Sequence, residues 1–194
     1  MILFSFLPTA LLIGTVGFVF VLHRLSNKTR AVKRAFWISG IIVLAYASLL
    51  THLQYQAWSD SGLGQFLLPA YQTGYFYFYS FTRFLAPYVI SLVLGLAFML
   101  LLARMNKQRG GVLFEDEEPY IAGLFMFLSG YPGIVIYFVF VLIVYLLWHI
   151  IVRVKKKKDV RLPLYYLWPA TALLTVFTLL SPFVHSDIWL SLKI

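Results

Sequence analysis

The chain has 194 residues, of which 61% are hydrophobic and only 12% are charged, and its formal net charge is +9. A soluble domain of this length carries roughly 25% charged residues, so most of this chain's surface is predicted not to face water. The composition therefore excludes an ordinary soluble domain and predicts an integral membrane protein. Cysteine is absent, which excludes disulfides, thiolate catalysis, cysteine-bound zinc and iron–sulfur clusters.

Six apolar segments follow one another along the chain and predict an all-α bundle of about six transmembrane helices. They form a single domain over residues 1–194, and we place them at about 2–22, 35–53, 84–103, 119–128, 132–152 and 162–184. Most approach the ~20 residues that a helix needs to cross a hydrocarbon core of about 30 Å. No strand-like alternation of polar and apolar residues competes with this interpretation. The first segment is interpreted as a retained span rather than a signal peptide, because no positive stretch precedes it.

The fourth segment is short. A helix over residues 119–130 would measure about 18 Å, which is less than the hydrocarbon thickness. The segment therefore either crosses with its polar entrance among the headgroups or forms a re-entrant half-helix. We prefer the crossing helix, because a re-entrant one would put the two flanking basic loops on opposite sides. The sequence "GYPG" after it predicts a tight turn, with Gly130 ending one helix and Pro132 starting the next.

Nearly all of the 16 Lys and Arg residues lie in three loops, "HRLSNKTRAVKR", "ARMNKQRGG" and "RVKKKKDVR". With six spans these loops share one side, which the positive-inside rule makes cytoplasmic, with both termini outside. This arrangement predicts a multi-pass protein of the plasma (inner) membrane and argues against nucleic acid as the partner of the positive charge. The lysine run at the end of the fifth segment is predicted to contact anionic lipid headgroups. It comprises Lys155, Lys156, Lys157 and Lys158.

An aromatic stretch, "YQTGYFYFYSFTRF", precedes the third segment on the predicted outer side. Tyr and Phe at this density are typical of an interfacial belt, in which each ring lies in lipid and each hydroxyl in water. The alternative is a groove for lipid or for a partner's membrane helix. The candidate contacts with a partner or substrate are Tyr75, Tyr77, Tyr79 and Arg83, together with Asn27 in the first basic loop.

Four consecutive acids, Glu115 to Glu118, stand directly before the fourth segment. One interpretation is structural, because carboxylates near a helix N-terminus complement the helix dipole and Pro119 suits a first helical turn. The other is chemical, although four consecutive side chains cannot face one site, so at most two would serve it. No metal site is predicted. No cofactor is predicted either, since His52 and His149, the pair that could ligate haem, are expected at opposite ends of their spans.

The stretch "FEDEEPYIAGLFMFLSGYPG", with the apolar span before it and the long span and basic loop after it, resembles the membrane core of prepilin peptidases (type IV leader peptidases). The resemblance covers roughly residues 84–184 and includes Leu162-Pro163 at the start of the last span. It implies a six-helix core of an intramembrane aspartate protease. In that family the second catalytic aspartate lies in a Gly-x-Gly-Asp motif at the cytoplasmic start of a short helix. Asp116 or Glu118 would take the place of that aspartate.

The chain departs from the family at both catalytic positions. Gly110 and Gly111 do not directly precede an acid, and the loop that should carry the first aspartate, "HRLSNKTRAVKR", contains no acid; Asn27 is its nearest polar substitute. An aspartate protease needs two adjacent carboxyl groups, one to activate water and one to donate a proton. Any activity would be of the aspartate-type intramembrane peptidase class, but the sequence favours a non-catalytic protein. Contact between Asn27 and Asp116 or Glu118 would support a vestigial site.

Two functions follow from this sequence. The first is a degenerate prepilin peptidase that binds other membrane segments, such as a single-span substrate. The second is a small non-enzymatic subunit or assembly factor of a larger membrane complex. A transporter is a weaker third, because transport sites usually place ionisable residues at mid-span and these spans hold none there.

Overall fold

The computed structural model describes residues 2–22, 27–72, 74–111, 113–156 and 165–181, and every regular element in them is a helix. The α-helices are α1 (Ile2–Leu22), α2 (Lys28–Ser59), α3 (Tyr75–Ser80), α4 (Ala86–Gln108), α5 (Glu118–Leu128), α6 (Gly133–Lys156) and α7 (Leu167–Leu180). A 3-10 helix (Gly64–Leu67) lies between α2 and α3. A π-helical turn (Phe81–Leu85) joins α3 to α4, so one helix runs through Tyr75–Gln108. The predicted all-α class is confirmed for these residues.

Three helices are long and apolar enough to cross a membrane: Lys28–Ser59, Tyr75–Gln108 and Gly133–Val152. Leu7–Leu22, Glu118–Leu128 and Leu167–Leu180 are shorter apolar helices. Large apolar side chains also cover the outside of the bundle, where Ile41, Leu100 and Phe177 are 68%, 64% and 70% exposed. Soluble monomers rarely expose such continuous apolar surface, whereas lipid covers it without cost. The exterior therefore agrees with the membrane association predicted from composition.

Two helices are longer than the apolar segments from which they were predicted. The second segment was placed at 35–53, but α2 extends over Lys28–Ser59; the third was placed at 84–103, but its helix extends over Tyr75–Gln108. Hydropathy marks only the lipid-facing part of a helix, whereas backbone hydrogen bonding continues until a breaker such as the left-handed Gly110 and Gly111. Helix α7 corresponds to the sixth predicted segment, 162–184, but spans only Leu167–Leu180. Residues 162–164 and 182–184 of that segment lie outside the described part.

Helix α5 is the centre of the bundle. It contacts α1, α2, α4, α6 and α7, and every residue from Ile121 to Leu128 is buried. A helix that is apolar on all sides either faces lipid or lies in a protein core, and the neighbours of α5 put it in the core. The short fourth segment is thus a core helix rather than a lipid-facing one.

Helices α4 and α5 run antiparallel and touch through their backbones. A Cβ atom added to Gly95 would lie 2.9 Å from the carbonyl oxygen of Gly123, so only glycine allows this approach. Beyond α5, the Tyr131 N–H donates to the Pro87 carbonyl over 3.3 Å. At the other end the Asn106 side chain holds the backbone of Phe114. Residues 114–131 therefore cover the same depth as 87–106 in α4, which is about 29 Å at 1.5 Å per residue.

The turn between α5 and α6 has the form expected from "GYPG". Gly130 adopts a positive φ of 61°, and the Tyr131–Pro132 peptide is cis. The Gly130 N–H donates to the Phe127 carbonyl at 3.1 Å, and its carbonyl accepts from the Ile134 N–H at 2.7 Å. Gly130 thus closes α5, as predicted, and α6 begins at Gly133, directly after the proline.

The two ends of the bundle differ in chemistry. At one end, which we call the charged end (residues 27–34, 103–120 and 165–166 among those described), the ends of α1 and α4 meet the starts of α2, α5 and α7. At the other end the last turn of α2, the 3-10 helix and α3 form a hairpin rich in rings, which we call the aromatic hairpin (54–72 and 74–84). These two ends are the candidate sites.

Candidate functional site

The four acids at the charged end divide into two pairs. Glu115 and Asp116 are exposed, whereas Glu117 and Glu118 are buried. The division arises because the chain turns into α5 here: the Glu118 N–H donates to the Glu115 carbonyl at 3.1 Å, and the Glu117 carbonyl accepts from the Ile121 N–H at 3.0 Å. Of the two predicted catalytic candidates, Asp116 lies at the surface and Glu118 lies inside.

The buried acid Glu117 is paired with the first residue of α2. Lys28 Nζ lies 3.6 Å from Glu117 Oε1, and the two side chains are 30% and 8% exposed. Burying a carboxylate without a partner is costly, so this ammonium stabilises the packing of the charged end. Asn27, the predicted counterpart of the acids, has an exposed side chain that makes no capping hydrogen bond. The start of α2 therefore reaches the acidic cluster, and the residue that it brings there is a cation.

This pairing bears directly on peptide hydrolysis. Two carboxyl groups in an aspartate peptidase share a proton, so that one acts as base while the other acts as acid. In the described part of the chain, the charged partner of Glu117 is the Lys28 ammonium group, so this carboxylate is held in an ion pair. Within the described residues, no group of three or more His, Asp or Glu side chains is arranged to hold a metal ion. The ion pair stabilises the meeting of the start of α2 with the start of α5.

Tyr165, just before α7, lies beside the acids and was not predicted from the sequence. It is almost fully buried, and its hydroxyl donates to the Val19 carbonyl at 2.9 Å, which ties α7 to the last turn of α1. Nothing in "LPLYYLWP" distinguishes Tyr165 from its neighbour Tyr166.

Asn106 holds the loop that carries the acids, and it too was missed by sequence reasoning. Its Nδ2 donates to the Phe114 carbonyl at 3.0 Å, and its Oδ1 accepts from the N–H groups of Leu113 and Phe114 at 3.1 and 2.9 Å. The asparagine is buried at the end of α4. An asparagine among basic residues in a predicted turn was the available signal, but it is also an ordinary surface residue.

Two open clefts flank the acidic loop and share Thr29, Gly111 and Asp116 in their walls. One, of ≈ 520 Å³, is also lined by Lys33, Lys107 and Tyr120. The other, of ≈ 440 Å³, is lined by the paired residues of the loop and α2, including Lys28, Glu115 and Glu117. In the first cleft Lys33 Nζ lies 4.6 Å from the centre of the Tyr120 ring. This is a cation–π contact, which holds the ammonium at the cleft wall.

The aromatic hairpin is organised around Trp58. The centre of its ring lies 5.0 Å from that of Tyr79, 5.6 Å from that of Phe76 and 6.2 Å from that of Tyr75. Tyr79 therefore packs inward and Tyr75 partly so. Tyr77 and Phe78 point outward, at 63% and 70% exposure.

The remaining predicted residues fall in different places. Arg83 is exposed on the π-helical turn. Lys155 and Lys156 close α6, but their side chains, and all of Lys157 and Lys158, lie outside the described part.

The two histidines considered for haem have separate neighbours. His52 Nε2 lies 3.1 Å from Gln56 Nε2, and the His149 ring stacks on Tyr145 with ring centres 6.2 Å apart. Each of these contacts is within a single helix. They do not bring the two histidines together.

No known protein family, no curated protein and no solved structure matches this chain.

Proposed function

We propose that the chain is a non-catalytic membrane protein that binds other transmembrane segments, in a bundle related to the core of prepilin peptidases. The observation that carries this proposal is the 3.6 Å ion pair between Lys28 and Glu117. It occupies the junction between the loop before α2 and the start of α5, where such a peptidase needs two carboxyl groups. An ion pair at that place supports a structural role for the acids and leaves recognition as the function.

The proposed topology is six crossings with the charged end in the cytoplasm and both termini outside. The depth covered by residues 114–131, equal to that of residues 87–106 in α4, supports crossing by the fourth segment. The excess of Lys and Arg around the charged end supports its cytoplasmic location. We place the protein in the plasma membrane on this basis.

The proposed recognition surface is the outer face of the aromatic hairpin. Pro87 meets Tyr131 at the level where α5 turns into α6, and Tyr75 lies twelve residues earlier in the same helix. At 1.5 Å per residue the hairpin therefore projects about 18 Å past that turn. The Trp58 ring packs against the inner side of the hairpin and stabilises it, and Tyr77 and Phe78 are exposed on its outer side. Large, rigid aromatic side chains are the usual anchors of protein interfaces, because they bury much area at small entropic cost.

Photocrosslinking in the native membrane tests this proposal. A photoreactive phenylalanine analogue replaces Tyr77 or Phe78 in two variants, and Phe177 in a control variant whose side chain is equally exposed on α7. We expect protein adducts at the two hairpin positions, with a partner that carries a transmembrane segment, and only lipid adducts at the control. Adducts that are equal at all three positions, or a partner without a membrane segment, would contradict the proposal.

Purification in mild detergent separates the two forms of this function. A transient binder of single-span segments is expected to be extracted from the membrane without a partner, whereas a subunit of a larger complex is expected to retain its partner in a fixed ratio.

The chain reconstituted with a prepilin-type substrate is expected to release no peptide. Cleavage that disappears in Asp116→Asn or Glu118→Gln would refute the non-catalytic assignment.

A further inference from the structure

The larger cleft at the charged end lies at the boundary between apolar and polar residues. Its wall includes Lys33 of α2, two residues before the apolar segment that starts at 35, and Ala103 and Lys107 of α4, where the apolar segment 84–103 ends. Both helices thus cross from hydrocarbon to water at the level of this cleft. A phospholipid places its headgroup at that level, with its acyl chains along the apolar surfaces of the helices.

The charges in this cleft have both signs and are not paired with one another. Lys33, Lys107 and Asp116 all line the cleft, and all three side chains are exposed. Among the residues that the structure describes, Lys28 and Glu117 form the one ion pair, so neither lysine is bound to Asp116. Two ammonium groups and one carboxylate therefore remain available to a ligand.

The cleft has further groups suited to a phosphate. Thr29 lines it at the first turn of α2, whose positive dipole end favours anions. Lys33 is oriented by its contact with the Tyr120 ring and keeps N–H groups free for an oxygen acceptor. A ligand that is only anionic would leave Asp116 facing its own charge, which costs affinity. A zwitterion satisfies both signs.

We propose that this cleft binds one phospholipid whose headgroup carries a phosphate and a primary amine, as in phosphatidylethanolamine. Lys33, Lys107 and Thr29 contact the phosphate oxygens, and Asp116 accepts hydrogen bonds from the ammonium group. The acyl chains then lie on the apolar surfaces of α2 and α4. This site is separate from the aromatic hairpin and does not depend on the function proposed for it.

Native mass spectrometry of the full chain, with phosphatidylethanolamine, phosphatidylcholine and phosphatidylglycerol of identical acyl chains, tests the proposal. We expect one phosphatidylethanolamine to remain bound after the other two lipids have dissociated. The double variant Lys33→Gln with Lys107→Gln should weaken its binding about a hundredfold, since each of the two lost charge-assisted hydrogen bonds contributes on the order of a factor of ten. Replacing both lysines by arginine should preserve binding.

The matched control removes two neighbouring cations that do not line the cleft. Arg34→Gln with Arg104→Gln makes the same change in charge at the same level, and it should leave the affinity unchanged. Asp116→Asn should lower the affinity for phosphatidylethanolamine and leave that for phosphatidylglycerol the same or higher. Thermal unfolding of every variant in detergent verifies that the fold persists.

Three results would overturn the assignment. Equal retention of the three lipids would mean ordinary annular contact, and equal losses in the two double variants would mean an unspecific charge effect. Displacement of the lipid by inorganic phosphate alone would make free phosphate, not a headgroup, the ligand. Competition by glycerophosphoethanolamine, with none by phosphate, would support the zwitterionic headgroup.

Discussion

Replacing Gly95 by alanine should separate the two helices at the centre of the bundle. The new Cβ would lie 2.9 Å from the carbonyl oxygen of Gly123 and 3.3 Å from the backbone nitrogen and Cβ of Phe127. None of these atoms can rotate away, since two belong to the backbone of α5 and the third is bonded to it. Helices α4 and α5 must therefore move apart by about half an ångström, and a gap of that size already forfeits a quarter or more of the dispersion attraction of each contact.

The expected cost follows from two opposed effects. Overpacking a filled interior costs about 1–3 kcal/mol, and the exchange of glycine for alanine within a helix returns about 0.5–1 kcal/mol. We expect Gly95→Ala to be destabilised by about 0.5–2 kcal/mol, the difference between these effects. Gly40→Ala is the matched control, because a Cβ added at Gly40 has no atom within 4 Å. That variant should be within about 1 kcal/mol of wild type, on the stabilising side.

Reversible unfolding in mixed detergent and dodecyl sulfate micelles, followed by circular dichroism and tryptophan fluorescence, measures the difference. The free energies of the two alanine variants are compared with that of the wild type under one set of conditions. If Gly95→Ala is as stable as the wild type, while Gly40→Ala behaves as expected, α4 and α5 do not touch at this point. The packing of α5 described above would then be wrong.

Three further changes test the charged end. Lys28→Met should destabilise the fold by about 1–3 kcal/mol in the same micelle unfolding assay, because it leaves a buried carboxylate unpaired. Adding Glu117→Gln to this variant should restore part of the lost stability, and no restoration would refute the pairing. Tyr165→Phe should cost about 0.5–1.5 kcal/mol at neutral pH. The loss follows from removing the hydrogen bond from the Tyr165 hydroxyl to the Val19 carbonyl, and the same micelle unfolding assay measures it; a variant as stable as the wild type would show that this bond does not hold α7 to α1. Asn106→Ala should release the backbone around Phe114 and make the loop before α5 sensitive to protease, whereas unchanged cleavage rates would show that the three hydrogen bonds do not hold it.

The sequence was sufficient to predict those structural features whose physical cause is local. Long apolar runs with no strand-like alternation require helices in lipid, because each backbone group must be hydrogen-bonded within its own segment. The turn at Gly130 was equally predictable, since glycine adopts a positive φ without strain and proline cannot continue a preceding helix. The ends of the helices were not predictable from hydropathy. Tyr75–Arg83 and Lys28–Arg34 continue the helices beyond their apolar parts.

The tertiary structure decided what lies inside. Lipid tails are as apolar as leucine, so hydropathy cannot separate the enclosed α5 from helices that face the membrane. Four adjacent acids leave open which of them points inward, and only the packing of α5 put Glu117 and Glu118 inside and Asp116 outside. Lys28 appeared in the sequence as one charge among many that orient the chain. Its place beside Glu117, with which it forms an ion pair, depends on where two distant segments meet.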